Sequence, residues 1–330
     1  MKIKIVFLSH RLIKLLWPVT AFCFLVIKVQ SAEPIPREYY GAKLEPRDQV
    51  LHGAGQTNAE DVLSYIASLE RHAPVIFMDY IKVKEAPGEF VNKLRRKLSK
   101  LPSIRAVQLG MSFVTREESG DRRHESYALD FARGKYDEEF MTLFTQLKEV
   151  GVPCYIRIGY ECNGKHNGYD AVEYKEAFIH VTKLLRESKL NAATVWCVYP
   201  VQIESAMPFY PGNDWVDWWG IDLFTPEDIK ESGPIVAAAR QHRKPLMIAE
   251  STPTGVGVTK GEESWKAWFE PYFSLIRCNP GIKAFFYINW NWSKYPQWSK
   301  WGDARLQSNE TVAKRYRDEM DSPLFQQGKE

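Results

Sequence analysis

Apolar residues in this chain fall into short, dense runs separated by longer stretches in which they recur every three to four positions. Eight runs, rich in β-branched and aromatic residues and bounded by Gly, Pro, Asn or Lys, are predicted as strands: Val50–Gln56, Pro74–Val83, Ile104–Val114, Val152–Glu161, Ala193–Tyr199, Val216–Phe224, Pro245–Ser251 and Ile282–Trp290. The stretches between them have helical periodicity. Thr57-Asn58-Ala59-Glu60 has the form of a capping box opening the first helix. Glu89–Lys100, Asp137–Val150 (stopped by Gly151), Ala171–Ser188, Pro226–His242, Glu262–Cys278 and Asn309–Met320 follow. Only Pro200–Asp214, between the fifth and sixth strands, is too short for a full helix. Alternation of this kind implies a parallel sheet, and eight repeats over about 270 residues fit one closed α/β domain, a (β/α)8 TIM barrel spanning 33–330. A dinucleotide-binding sheet is not indicated, because Gly53-Ala54-Gly55-Gln56 lacks the third glycine of that fingerprint.

The first 32 residues stand outside this pattern. Lys2, Lys4, Arg11 and Lys14 precede an apolar run from Leu15 to Ile27, and Ser31-Ala32 follows. That is the layout of a secretory signal, and the run is short for a membrane span, so a secreted or periplasmic protein is expected, with an uncleaved anchor as the rival. The 44 basic and 41 acidic residues leave a net charge of +3, which gives no reason to expect a nucleic-acid partner. Cys154, Cys162, Cys197 and Cys278 match no zinc spacing and are read as buried free thiols. The chain carries 11 Trp, 16 Tyr and 17 Phe. Flat rings suit the C–H faces of sugars, although from composition alone a large core accounts for them better.

Catalytic groups of such a barrel come from the carboxyl ends of the strands. Two glutamates close otherwise apolar strands there: Glu161 on the fourth, in Arg157-Ile158-Gly159-Tyr160-Glu161-Cys162-Asn163-Gly164, and Glu250 on the seventh, in Lys244-Pro245-Leu246-Met247-Ile248-Ala249-Glu250-Ser251. A carboxylate in an apolar strand costs free energy unless it is paired or used. One alone would be a solvated strand end. Two on the same rim can aim at a common point, as retaining glycosidases require of carboxyls about 5–5.5 Å apart.

Glutamates at the ends of strands four and seven resemble clan A glycoside hydrolases, and the surroundings are most similar to glycoside hydrolase family 26, which includes β-mannanases, β-1,3-xylanases and mixed-linkage β-glucanases. The resemblance rests on Arg157 and Asn163-Gly164 around Glu161, Trp196 to Pro200, Tyr210-Pro211-Gly212, Val216 to Asp222, Lys244-Pro245 with Glu250, and Trp290. It implies a retaining hydrolase of polysaccharide or oligosaccharide, with Glu161 as general acid/base, Glu250 as nucleophile, and no metal or organic cofactor. Two positions depart from the family pattern. Tyr160 stands where His usually precedes the acid/base, and Phe224 where a Tyr contacting the nucleophile is expected. Both changes would also fit a non-catalytic carbohydrate-binding barrel.

The remaining candidates line the same rim. Arg157 shares the strand face of Glu161 one layer deeper, where it would hold a carboxylate such as Glu250 ionised. Asn163 either bonds a sugar hydroxyl or shapes its loop, and Asp222 either reaches the rim with Phe224 or caps the strand end. Tyr160, Trp290 and Trp292 are placed against substrate, Trp290 as the platform under the sugar. The long loop Arg116–Lys135, with Arg116, Arg122, Arg123, His124 and Arg133, either shapes the cleft for an acidic polymer or is plainly solvated.

Overall fold

The computed structural model describes residues 35–55, 58–81, 86–115, 125–200 and 202–328. Among these, eight parallel strands close on themselves: β1 (Val50–Gly55), β2 (Ile76–Ile81), β3 (Ala106–Met111), β4 (Cys154–Ile158), β5 (Ala192–Val198), β6 (Trp218–Leu223), β7 (Leu246–Ser251) and β8 (Ile282–Ile288). Each pairs with its neighbours in the chain, and β8 returns to β1 from Leu51↔Ala284 to Gly55↔Ile288. Closure leaves the sheet no free edge. Each run read as a strand coincides with one, most of them shortened at one or both ends, while β5 begins one residue earlier than read, at Ala192. Outside them lie α1 (Ala59–Leu69), α2 (Pro87–Leu98), α3 (Asp137–Val150), α4 (Ala171–Glu187), α5 (Pro226–Glu231), α6 (Gly233–Gln241), α7 (Glu270–Cys278) and α8 (Glu310–Met320).

Alternate side chains divide two cores. Facing the helices, Trp196 of β5 and Trp219 of β6 meet edge to face at 4.6 Å, and Trp268 stacks on Tyr272 at 4.5 Å. Most of the Trp excess is therefore packing. Inside the barrel sit Met78, Tyr155, Cys197, Trp218, Met247 and Phe286. Glycines make room for the large ones: a Cβ on Gly53 would lie 2.3 Å from the Phe286 ring, and one on Gly110 would lie 2.8 Å from Tyr80 and 3.0 Å from Arg157. The segment before β1 closes the N-terminal mouth. Tyr155 and Trp218 reach down from inside the barrel to the carbonyls of Leu44 and Lys43, each at 2.8 Å. Buried Lys283 donates to the carbonyls of Glu38 and Arg47. With that end sealed, the C-terminal rim is left for a site.

Several local expectations are corrected. The N-cap of α1 is Asn58, whose side chain accepts from Asp61 N; Thr57 lies outside the described residues. The stretch 226–242 is two helices, because Pro234, second in α6, brings no N–H to continue α5. Residues 262–278 run through a π-helical turn, Trp265–Phe269, just ahead of Pro271. Cys154, Cys162 and Cys197 are buried free thiols, but Cys278 is exposed. The expected signal, and residues 116–124 of the long basic loop, lie outside the described residues. No helix among the described residues is long and apolar enough to cross a membrane.

Candidate active site

Glu250 owes its direction to an irregularity in β7. Along β7, Leu246 and Ile248 face the helices and Met247 and Ala249 face the interior, so strict alternation would turn Glu250 outward. The pairing with β6 steps from Ile221↔Ile248 to Asp222↔Glu250, and that with β8 from Phe285↔Ile248 to Tyr287↔Ser251. β7 thus carries an extra residue, and the bulge swings Glu250 inward. The freed carbonyl of Ala249 accepts from Nε2 of buried Gln108 at 2.9 Å, a bond across the barrel from β3.

Two donors converge on one oxygen of Glu250. Arg157 Nη2 lies 2.7 Å from Oε1, and the Tyr80 hydroxyl donates to the same atom at 2.6 Å. Arg157 is fully buried; its Nη1 lies 3.5 Å from Asp222 Oδ1, and its guanidinium stands 4.9 Å from the Tyr160 ring and 5.5 Å from that of Tyr80. Burial works against the charge of Arg157, but Glu250 and then Asp222 more than offset it, and its pKa rises well above the usual value. Burial and then the charge of Glu250 push the Asp222 carboxyl far above the ordinary range, with Arg157 opposing. Cys197, kept a thiol by burial and then by Asp222, donates to both Asp222 oxygens at 3.6 Å. Tyr80 is held as a hydroxyl by its enclosure and by Glu250.

Glu161 is carried by a different device. β4 ends at Ile158, and the chain turns sharply with φ of +59° at Gly159 and +50° at Glu161 itself. Gly159 is required, since a Cβ there would meet Tyr174 at 2.5 Å. A non-glycine residue in the left-handed region is strained, and such strain collects at functional positions. The turn is over-determined: Gly164 N donates to the Glu161 carbonyl at 2.8 Å, and Asn167 Nδ2 to the carbonyls of Tyr160 and Glu161 at 3.0 Å. The Asn163 amide clamps the backbone of Tyr199, accepting from its N at 2.8 Å and donating to its carbonyl at 3.1 Å. His166 Nε2 lies 2.7 Å from Glu161 Oε2. The charges of Glu161 and Glu250 both act on Asp222 and on Cys197, so the two carboxyls stand over the same buried groups.

Residues 135–261 match the family model for glycosyl hydrolase family 26. A β-1,3-xylanase of Alcaligenes sp is 32% identical over 324 residues, an alignment covering 86% of this chain and 66% of that enzyme. This is a family 26-like chain. A β-1,3-xylanase of Vibrio sp, TXYA, is also 32% identical, covering 59% of the family 26-like chain and 49% of the relative. The chain thus spans half to two thirds of the length of these relatives. Its fold is shared with the catalytic domain of a Bacillus sp. JAMB-750 endo-β-1,4-mannanase, at a TM-score of 0.63 and 15% identity over 84% of this chain and 87% of that one. A β-mannanase of Bacteroides ovatus matches at a TM-score of 0.58 and 14% identity, over 85% and 90% of the two chains.

The structure separates the residues named from sequence. Glu161, Glu250, Arg157 and Tyr160 gather at one place, but Arg157 is 0% exposed and lies beneath Glu250, with no face on the open rim. Asp222, also 0% exposed, neither reaches the rim nor caps the strand; it belongs to the buried network. Asn163 shapes its loop. Phe224 lies past the end of β6 with its ring 5.4 Å from Trp301, and half-buried Trp290 stacks on Tyr295 at 5.6 Å. Trp292 is corrected: it is 3% exposed, its Nε1 donating to Thr252 Oγ1 at 3.0 Å, and it supports the aromatic loop from behind. Tyr80, Cys197, Gln108 and His166 were missed. Tyr80 alone had a usable signal, its place at the rim end of β2 in phase with Ile76 and Met78.

Proposed function

We propose that this chain is a retaining glycoside hydrolase that cleaves β-glycosidic bonds of a polysaccharide by double displacement. The reading is carried by the two donors on Oε1 of Glu250, which leave its other oxygen available as a nucleophile beside a second, independently held carboxyl. In the first step Glu250 attacks the anomeric carbon while Glu161 gives its proton to the departing oxygen. In the second, Glu161 takes a proton from water, and the water oxygen displaces Glu250 from the face that the leaving group vacated. Arg157 and Tyr80 hold Glu250 in line, and the rings of Trp290 and Tyr160 flank the sugar. The two curated relatives make β-1,3-xylan the first substrate to try. Such a polymer is met outside the cytoplasm, where the export signal read in residues 1–32 would send the chain. A mass for exported protein starting near Ala32 would show its removal.

A panel of β-1,3-xylan, β-1,4-mannan and mixed-linkage β-glucan, followed by proton NMR of the first product, tests this. Release of reducing ends with the β-anomer formed first is expected, unaffected by a chelator. First formation of the α-anomer, or no turnover of any polymer, would overturn it. Tyr80→Phe removes one of the two donors on Glu250 while keeping the ring. A hydrogen bond to a charged group contributes about 1.5–3 kcal/mol, so kcat/KM should fall about 10- to 100-fold. An unchanged kcat/KM would remove Tyr80 from the site.

A further inference from the structure

The loop after β4 contains a side chain that the mechanism above does not use. His166 folds back so that Nε2 lies 2.7 Å from Glu161 Oε2, and its ring meets that of Tyr199 edge-on at 6.2 Å. The fold-back depends on Gly164: a Cβ there would lie 2.5 Å from His166 Cε1 and 3.0 Å from its Nδ1. Asn163 pins the loop to Tyr199 just past β5, Asn167 pins it to the Glu161 carbonyl, and Gly168 takes φ of +62° on its way out. The same five-residue excursion that fixes the backbone of Glu161 therefore also brings an imidazole to its carboxyl. Glu161 is 9% exposed, while the His166 side chain is 39% exposed, so the imidazole sits at the mouth with the carboxyl beneath it.

We propose that His166 is the positioning residue of Glu161 in both half-reactions, an inference that rests on the hydrolase reading. With a proton on Nε2, His166 donates to Oε2, which fixes the carboxyl plane and leaves Oε1 to face the glycosidic oxygen. In the first step the Oε1 proton moves to the leaving oxygen, the bond from that oxygen to the anomeric carbon breaks as a Glu250 oxygen bonds to that carbon, and the new carboxylate keeps the His166 bond. In the second step Oε1 takes a proton from water, whose oxygen bonds to the anomeric carbon as the bond to Glu250 breaks. No proton passes through His166. A hydrogen bond is stronger to a carboxylate than to a carboxylic acid, so this bond strengthens as Glu161 gives up its proton and helps the transition state more than the ground state.

The test compares wild type, His166→Ala, His166→Gln and Glu250→Ala on β-linked polysaccharide and on an aryl β-glycoside with a nitrophenolate leaving group. It follows the polysaccharide's kcat and KM, the burst of nitrophenol, and thermal melting. For His166→Ala, kcat on polysaccharide should fall about 10- to 100-fold with KM within about threefold, because proton transfer and not binding is impaired. The nitrophenol burst, which needs little protonation, should change less than about threefold. Glutamine places an N–H donor near the same oxygen and should recover most of the loss. Equal losses on both substrates, a change confined to KM, wild-type rates in His166→Ala, or a Gln variant no better than Ala would each overturn the proposal. Glu250→Ala separates the two readings: if it retains activity, the hydrolase assignment fails, whereas a dead Glu250→Ala beside a fully active His166→Ala rejects only His166.

Discussion

Glu250→Ala is expected to lower turnover of polysaccharide by on the order of 10⁴- to 10⁶-fold, the range seen when an enzyme loses its nucleophile. The expectation rests on the bulge at Ala249 that turns Glu250 into the barrel and on the donors that meet it there. Alanine leaves a space on the face opposite the leaving group. Azide entering it should attack an activated aryl glycoside directly and give a glycosyl azide of inverted configuration. Glu161→Ala should behave differently. The covalent intermediate still forms from an activated substrate and then persists for lack of a base, and azide should release it with retained configuration. Loss of acid/base help alone costs about 10²–10⁴-fold on a natural linkage. Azide products of identical configuration from the two variants, or near-parental rates in both, would show that the roles are misassigned.

How much of this could be read from the chain depends on which physics places each group. The barrel was legible because burial forces period-two and period-3.6 patterns on long segments, and eight of them alternate. The two glutamates were legible because an acid ending an apolar strand is costly and therefore conspicuous. Their orientation was not. Simple alternation turns Glu250 toward the helices, and only the extra residue in β7, which no local motif announces, reverses it. Glu161 lies three residues beyond the end of β4, on a left-handed turn of its own and not on the strand. Tyr80 escaped because its partner is 170 residues away. From β2 it brings to the Glu250 carboxyl the phenol that Phe224, just past the end of β6, lacks. Asp222 and Trp292 went astray for the opposite reason. Phase and sequence proximity gave each a face, but the depth at which a side chain sits is set by packing across the barrel.

Arg157→Met should be the most destabilising single change at the site. In the folded protein one guanidinium serves two inward carboxyls, Glu250 at 2.7 Å and Asp222 at 3.5 Å, and also neighbours Met78 Sδ, Cys197 Sγ and the rings of Tyr160 and Tyr80. Methionine fills much of the volume and suits those sulfurs, so the cost is electrostatic: carboxyls stranded without a cation, about 3–5 kcal/mol. The pH dependence has a definite sign. Burial and Glu250 already hold the folded Asp222 well above its unfolded value of about 3.9, and Arg157 is the influence that restrains the rise. A carboxyl whose pKa is raised on folding binds more protons folded than unfolded, so stability falls as pH climbs from the unfolded value toward the folded one. Removing Arg157 extends that window upward. The urea midpoint of Arg157→Met should therefore lie below that of wild type at about pH 5 and further below it at about pH 8. Arg157→Lys keeps the charge but not the fork that spans both carboxyls, and should recover part of the stability while kcat/KM stays depressed. A midpoint equal to wild type, or a gap that narrows as pH rises, would mean that Arg157 is not the cation on which this buried network depends.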